Sequence, residues 1–258
     1  METKRNLKYF TAPPISVLMI VGLVVTVASV IIAIVGSSTL IPGILGAIVG
    51  LFILAGASGG KANDTDIEYQ ARELTKDLGE ANMKKFEVYE KNFLKMLKPI
   101  DLFGYDFEAK ESEFYFKKGQ DGTPRTNYFA GANVIFTGEK VYIYKKRLSL
   151  TDEENNHDEA VSYKYNELDR AELEEKTYNS PKGDFTYYIF RIVTKDGTNA
   201  LEMCIDYGAD SDKAIDNINR AIATRTVELE KKAEEKAQKL AEFRARVLAG
   251  ESINDISN

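Results

Sequence analysis

The sequence is poor in the two side chains that most often carry chemistry in enzymes. Its 258 residues include a single cysteine, Cys204, and a single histidine, His157. One cysteine excludes an internal disulfide, a cysteine-built zinc site and a paired-cysteine redox motif. A lone histidine in an acidic loop has neither a nucleophile nor a metal to serve. Catalysis would have to rest on carboxylates, lysine or tyrosine, and no spacing of these stands out. We therefore expect a protein that is not an enzyme and has no cofactor or metal.

Charge is missing from one long stretch. No charged residue occurs between Pro14 and Gly60, although Asp, Glu, Lys and Arg make up 29% of the chain. The first 60 residues have a net charge of +2, so the total of −6 leaves −8 on the remainder. This acidic balance predicts no general affinity for nucleic acid.

The uncharged stretch contains two apolar segments. Residues 15–35 include only three polar side chains, and at about 1.5 Å per residue they span a hydrocarbon core of roughly 30 Å. Residues 40–57 are shorter and richer in glycine. A turn containing Pro42 separates the two segments, so we expect residues 15–57 to form a hairpin of two transmembrane helices. A buried pair of soluble helices and a cleaved signal peptide are the alternatives, and a signal peptide has a shorter apolar region.

Basic residues flank the hairpin and are missing from its turn. They are Lys4, Arg5 and Lys8 before it and Lys61, Arg72 and Lys76 after it. The positive-inside rule then places both termini, including the N-terminal segment 1–14, in the cytoplasm, as in a multi-pass protein of the cell membrane. Gly46 and Gly50 form a GxxxG spacing, for which packing of the hairpin on itself is favoured over dimerisation.

Helical periodicity resumes beyond the apolar block. Thr65 and Glu68 form a capping box for an amphipathic, coiled-coil-like helix over residues 64–98. A second helical pattern runs from Ser211 to Ala249, and its part over residues 226–249 is typical of a coiled coil. We expect these helices to pack on each other as a stalk, with self-association between chains as the competing arrangement. A disordered tail is expected over residues 250–258.

The pattern between these helices alternates with a period of two. Seven strands rich in Tyr, Phe, Val and Ile are predicted, separated by Gly, Asp and Pro turns. They cover residues 112–117, 128–137, 140–149, 161–166, 170–178, 185–195 and 199–207.

Four segments of this region carry a resemblance to a known fold. They are VIFTGEKVYIY (134–144), SYKYNELDRAELEE (162–175), FRIVTKDGTNALEMCI (190–205) and the helix from Asp212. Together they resemble the pleckstrin-homology-like (PH-like) fold, in particular the small membrane-attached PH-like domains of bacteria. The resemblance covers about residues 101–225. It implies an α+β chain with an antiparallel PH-like β-barrel of about seven strands, closed by a C-terminal helix, and a binding module rather than an enzyme.

The resemblance also implies a place where a ligand would bind. In eukaryotic PH domains, basic residues on the first strands and their loop bind phosphoinositide headgroups. The candidates for lipid or partner binding here are Lys117, Lys118, Arg125, Lys140, Lys145, Lys146 and Arg147. A solvated strand edge, on which lysine prevents sheets from associating, explains the same residues and is favoured, because nearby carboxylates dilute the charge and no fork of arginines is present.

An acidic loop over residues 151–159 could hold calcium. It lacks the glycine and the spacing of known calcium loops, so we expect a solvated loop with no metal.

These observations predict a membrane-anchored cytoplasmic adaptor in which a PH-like domain and a helical stalk dock a protein partner. A PH-like module that binds anionic lipid is the alternative, and an enzyme with an unrecognised carboxylate or lysine site is a further one. The expected partners are the lipid bilayer, through two spans, and a protein or a second copy of the chain, through the helices. Nucleic acid is not expected as a partner.

Overall fold

The computed structural model describes residues 2–12, 17–35, 40–58, 60–111, 113–179, 183–208 and 211–248. Within these residues the chain is α+β. The helices are α1 (Thr3–Thr11), α2 (Val17–Val35), α3 (Leu40–Ser58), α4 (Asp64–Glu73), α5 (Leu78–Phe86) and α6 (Ser211–Leu248). The strands are β1 (Ile100–Tyr105), β2 (Phe116–Lys118), β3 (Pro124–Thr126), β4 (Tyr128–Phe136), β5 (Lys140–Ser149), β6 (His157–Lys164), β7 (Leu168–Tyr178), β8 (Phe185–Thr194) and β9 (Asn199–Ile205).

The predicted closed barrel of seven strands is wrong. The described strands form a four-stranded sheet in the order β1-β4-β5-β6, a two-stranded sheet β2-β3 and a three-stranded sheet β7-β8-β9, and none of these closes into a barrel. A turn of 3₁₀ helix at Tyr165–Glu167 joins β6 to β7, and the two strands belong to different sheets. Alternation along a strand shows which face is buried, but it does not identify the neighbouring strand.

The prediction of two membrane spans is also wrong. Among the described residues only α2 is long and apolar enough to cross a membrane. The apolar part of α3, Leu40–Gly56, is shorter and reaches about 26 Å, less than the roughly 30 Å of a hydrocarbon core. Only 11% of the apolar stretch of α2 is buried, which a core helix of a soluble protein would not show.

Small residues bring α2 and α3 into close contact. Gly46 lies against Ser29, and a Cβ added to Gly50 would stand 2.7 Å from the backbone nitrogen of Thr26 and 3.0 Å from the carbonyl oxygen of Gly22. Residue numbers rise along one helix as they fall along the other, so the helices are antiparallel. The predicted packing of the two apolar helices on each other through Gly46 and Gly50 is confirmed.

The single helix predicted over residues 64–98 is two shorter helices. Asn63, rather than Thr65, caps α4: its side chain accepts from the Asp66 amide at 2.8 Å, and the Asp66 carboxylate accepts from the Asn63 amide at 3.1 Å. After α5, Glu87 adopts a positive φ of 53°. The continuous first helix that the predicted stalk required is therefore not found among the described residues, whereas α6 is present nearly as predicted.

The chain divides into two compact units. The first consists of Met1–Lys76, Tyr105–Phe129 and Arg147–His157, and the second of Asp77–Gly104, Ala130–Lys146 and Asp158–Asn258. The first contains α1 to α4 and the β2-β3 sheet, and the second contains α5, the β7-β8-β9 sheet and α6.

The second unit has an apolar core to which α6 contributes one face. Ile218, Ala221 and Ile222 of α6 are buried, at the spacing expected of a single helix face. The side chain of Asn219 bonds the backbone of Ala171 in the edge strand β7, accepting from its amide at 2.6 Å and donating to its carbonyl oxygen at 3.0 Å. The first half of α6 therefore covers the β7-β8-β9 sheet and protects its edge.

Candidate functional site

The seven cations proposed from the sequence are divided between the two compact units. Lys117, Lys118, Arg125 and Arg147 belong to the first unit, and Lys140, Lys145 and Lys146 belong to the second.

Arg125 lies in β3 with its side chain only 5% exposed. Its Nη1 and Nη2 atoms donate to the two carboxylate oxygens of Asp121 at 2.9 Å and 2.7 Å, and its guanidinium carbon lies 6.0 Å from the ring centre of Tyr105. These hydrogen bonds hold the pKa of Asp121 well below its usual range. The charge of Arg125 is thus met inside the protein by a bidentate partner.

Two tyrosines and two carboxylates surround this ion pair. The Tyr9 hydroxyl donates to Asp64 at 2.6 Å, and the Tyr105 hydroxyl donates to Glu68 at 3.0 Å. Burial is the main cause that raises the pKa of both phenols far above the usual value. Asp64 also accepts from the backbone amide of Gln120 at 2.6 Å. These bonds fasten α1 and α4 to the β2-β3 hairpin.

Lys117 belongs to the same assembly. Its Nζ donates to the carbonyl oxygen of Tyr9 at 2.7 Å and lies 3.8 Å from the centre of the Tyr9 ring. Lys118, by contrast, is exposed and makes no ion pair among the described residues. The hairpin therefore offers one solvated lysine rather than a cluster of cations.

Arg147 is likewise engaged with internal carboxylates. Its Nε donates to Asp106 at 2.7 Å, its Nη2 donates to Glu111 at 2.8 Å, and its Nη1 contacts the other oxygen of Glu111. The guanidinium carbon lies 4.6 Å from the ring centre of Tyr128. Hydrogen bonding from Arg147 is the main cause that lowers the pKa of Glu111 to about 2.

Lys145 and Lys146 lie on an inner strand. Because β5 stands between β4 and β6, the interpretation of these residues as an aggregation-preventing sheet edge is wrong. Lys145 donates through Nζ to the carbonyl oxygen of Glu202 at 2.6 Å. Lys146 is half-buried and makes no ion pair among the described residues.

Lys140 lines a cleft of about 290 Å³ in the second unit. The turn after β4, the turn that follows β6 and one face of α6 form its walls. The lining residues are Glu139, Lys140, Lys164, Asn166, Thr226, Leu229, Glu230 and Ala233. The four residues from α6 have the spacing i, i+3, i+4, i+7, so they lie on one face of the helix.

That face continues to the end of α6 without cover among the described residues. Every residue from Lys231 to Leu248 is exposed, and Leu240, Phe243 and Val247 expose 48%, 38% and 37% of their surface. We call the heptad a and d positions of this face the α6 stripe: Thr226, Leu229, Ala233, Lys236, Leu240, Phe243 and Val247. At 1.5 Å per residue the stripe is about 32 Å long and starts in the cleft.

Arg225 holds the base of the stripe in place. Its Nη2 donates to the carbonyl oxygen of Gly138, and its Nη1 pairs with Glu228. Nearby, the buried hydroxyl of Tyr165 donates to the carbonyl oxygen of Thr137 at 2.7 Å. These bonds fix the turn after β4 against α6 and so give the cleft a defined shape.

A second, more open cleft of about 550 Å³ lies on the β7-β8-β9 sheet. Its central cation, Arg191, bonds Glu202 at 2.5 Å and Glu174 at 2.6 Å, and Arg170 pairs with Asp169 and Glu172. Because these arginines are already paired, the cleft has no concentrated charge of either sign.

Cys204 and His157 have the exposure expected from the sequence. Cys204 is buried in β9, and His157 is exposed at the start of β6. No group of three or more His, Cys, Asp or Glu side chains within the described part of the chain is placed to hold a metal ion.

Reasoning from the sequence missed most of the cleft. The helical period of α6 predicted the stripe, but Lys164 at the end of β6 and Asn166 and Glu139 in turns meet α6 only through the tertiary fold. No family model, curated protein or solved structure matches this chain. The resemblance to PH-like domains therefore stays a prediction.

Proposed function

We propose that the chain is a membrane-anchored binding protein whose α6 stripe docks a protein partner. The observation that carries this proposal is the exposure of the α6 stripe beyond the cleft. An apolar seam that stays in water does not stabilise a helix, because its side chains gain free energy only when they are buried. A partner that covers the seam would recover it.

The exposed surface of the α2–α3 pair supports a membrane anchor. Val24, Ile31 and Phe52 expose 60%, 56% and 73% of their surface, and the two helices have no charged residue. A continuous apolar surface of this size is typical of contact with lipid. We propose that α2, the one described helix that is long and apolar enough to cross a membrane, anchors the chain there.

Docking through α6 has more support than lipid binding through the β-hairpins. Arg125 and Arg147, the two arginines among the proposed headgroup ligands, are both occupied by carboxylates of the chain itself. A phosphate would have to displace a bidentate partner at each, and the released carboxylates would then repel it. The α6 stripe needs no such exchange.

Photo-crosslinking in cells of the source organism tests this proposal. A photoreactive amino acid at Phe243, on the stripe, should form an adduct with one defined polypeptide. The same group at Gln238, which is exposed on the opposite face of α6, is the matched control and should form none. Equal labelling from the two positions, or adducts with lipid alone, would show that the stripe does not dock a protein.

A further inference from the structure

The basic residues of α6 are not scattered at random around the helix. In the heptad frame of the α6 stripe, every g position beside the seam is basic, namely Arg225, Lys232, Lys239 and Arg246. The e positions are Glu230, Ala237 and Arg244. The c positions, away from the seam, are all glutamate: Glu228, Glu235 and Glu242. Beyond the first turn, the two borders of the seam therefore have only positive or neutral side chains.

We infer that the α6 stripe binds an amphipathic helix of a different protein, and that acidic side chains border the apolar seam of that helix. This inference rests on the proposed docking function and specifies the chemistry of the partner. In paired helices, residues at e and g face those of the other helix, so acidic borders would meet Lys232, Lys239 and Arg244.

Pairing with a second copy of the chain is disfavoured by the same charges. An antiparallel pair brings g positions opposite g positions, which sets Lys232 and Lys239 against basic residues. A parallel pair brings g opposite the following e, which sets Lys239 against Arg244 and places the d-position Lys236 next to its own copy. A partner of opposite charge avoids both costs.

The charges needed for docking are available in the structure. Lys232, Lys236 and Lys239 make no ion pair within the described residues. Lys232 and Lys239 each follow a glutamate by four residues, a spacing that stabilises an isolated helix only weakly. Both ammonium groups can therefore form ion pairs with carboxylates of a partner.

The cleft defines one end of the docking surface. Lys140, Lys164, Glu139 and Glu230 all line the cleft, so this end has mixed charge. Leu229 and Ala233 supply an apolar floor. The partner helix would enter the cleft with a small or apolar end and place its acidic residues farther along α6.

A membrane surface is a less suitable occupant. Helices that lie in the headgroup region have a broad apolar face. The α6 stripe has only two positions per heptad, and these include Ala233 and Lys236.

Binding of designed peptides to the full chain in phosphatidylcholine nanodiscs tests the inference. Two 28-residue helical peptides with leucine at a and d differ only at e and g, where one has glutamate and the other lysine. Fluorescence anisotropy should show the acidic peptide binding about tenfold or more tightly than the basic one, because several e–g contacts change from attraction to repulsion.

Exchange of the seam charges provides the decisive variant. Lys232→Glu with Lys239→Glu should reverse the preference between the peptides. The matched control, Lys213→Glu with Lys231→Glu, makes the same change in net charge away from the borders of the seam and should leave the preference intact.

Three results would overturn the inference. They are equal binding of both peptides, a concentration-dependent dimer of the full chain that Phe243→Ser abolishes, and loss of acidic-peptide binding when phosphatidylserine is added to the nanodisc. Equal binding of both peptides would contradict only the acidic partner, provided that position 243 still forms its face-specific crosslink. Absence of that crosslink would contradict the docking proposal itself.

Discussion

Arg125 donates to both carboxylate oxygens of Asp121, at 2.9 Å and 2.7 Å, from a side chain that is almost entirely buried. Arg125 could bind a phosphate through two parallel N–H donors, but both of these donors already bind the carboxylate of Asp121, four positions away. Its hydrogen bonds stabilise the β2-β3 hairpin, to which Tyr9 and Asp64 also attach α1 and α4.

Replacement of Arg125 should therefore weaken the fold. Arg125→Ala removes two charge-assisted hydrogen bonds, and because Asp121 is 45% exposed and can be hydrated, we expect a loss of about 2 kcal/mol in the free energy of unfolding. Chemical unfolding of the full chain in detergent micelles, followed by tyrosine fluorescence, measures it.

Lys118 supplies the control for this substitution. It is exposed and makes no ion pair among the described residues, so Lys118→Ala should change the free energy of unfolding by less than about 0.5 kcal/mol. A stable Arg125→Ala protein that no longer binds phosphoinositide vesicles would instead identify Arg125 as a headgroup ligand.

Acid should reveal the ion pair between Arg147 and Glu111. Folding lowers the pKa of Glu111 from 4.5 to about 2, so between these pH values the folded chain binds fewer protons than the unfolded chain. The stabilisation is thus fully present above about pH 4.5 and is lost as the pH falls toward 2. Glu111→Gln should be less stable than the unmodified chain at pH 7, and the difference should shrink in that window.

The apparent melting temperature of the two proteins between pH 7 and pH 2 measures this effect. Glu113→Gln, which alters an exposed carboxylate with no ion pair among the described residues, should follow the unmodified chain at every pH. A constant difference between Glu111→Gln and the unmodified chain across the range would show that the carboxylate is not paired in the folded state.

Periodicity predicted local structure well and long-range pairing poorly. The extent of α6 and the strands β4, β5, β7, β8 and β9 follow from residue spacing, because each is set by which of its own faces is buried. The sheet order does not follow, because strand edges all present the same backbone groups. One continuous helix was wrongly predicted over residues 64–98, because the apolar seam resumes beyond the break between α4 and α5.

The roles of the cations depended on residues remote in sequence. Arg147 meets Asp106 and Glu111, which are 41 and 36 positions away, and Lys145 meets the carbonyl oxygen of Glu202. Charge counted along the chain could not locate these partners. By contrast, the α6 stripe was visible in the sequence, since a helical face needs no knowledge of the tertiary fold.

Close packing of α2 and α3 can be tested at a glycine. Gly50→Val would force a side chain against the backbone of Thr26 and Gly22, so the helices would have to separate. We expect a clear loss of thermal stability for the full chain in micelles. Gly56→Val is the matched control, because nothing lies within 4 Å of a Cβ at Gly56. Equal effects at the two positions would mean that α2 and α3 do not pack closely at Gly50.

A single charge placed in α2 tests whether lipid surrounds this helix. Val27 lies near its middle and is 51% exposed, so in a membrane Val27→Lys would put an ammonium group into hydrocarbon at a cost of about 3 kcal/mol. We expect the variant to move from the alkali-resistant membrane fraction toward the soluble fraction.

The start of the same helix supplies the control. Val17 is 77% exposed, and a lysine there can extend its ammonium group to the headgroups, so Val17→Lys should remain in the membrane. If water surrounded α2, neither charge would carry a penalty and both variants would fractionate like the unmodified chain, which would remove the anchor from the proposed function. The intact mass of the membrane-bound chain distinguishes an anchor from a signal sequence, because a cleaved signal would leave a shorter chain without α2.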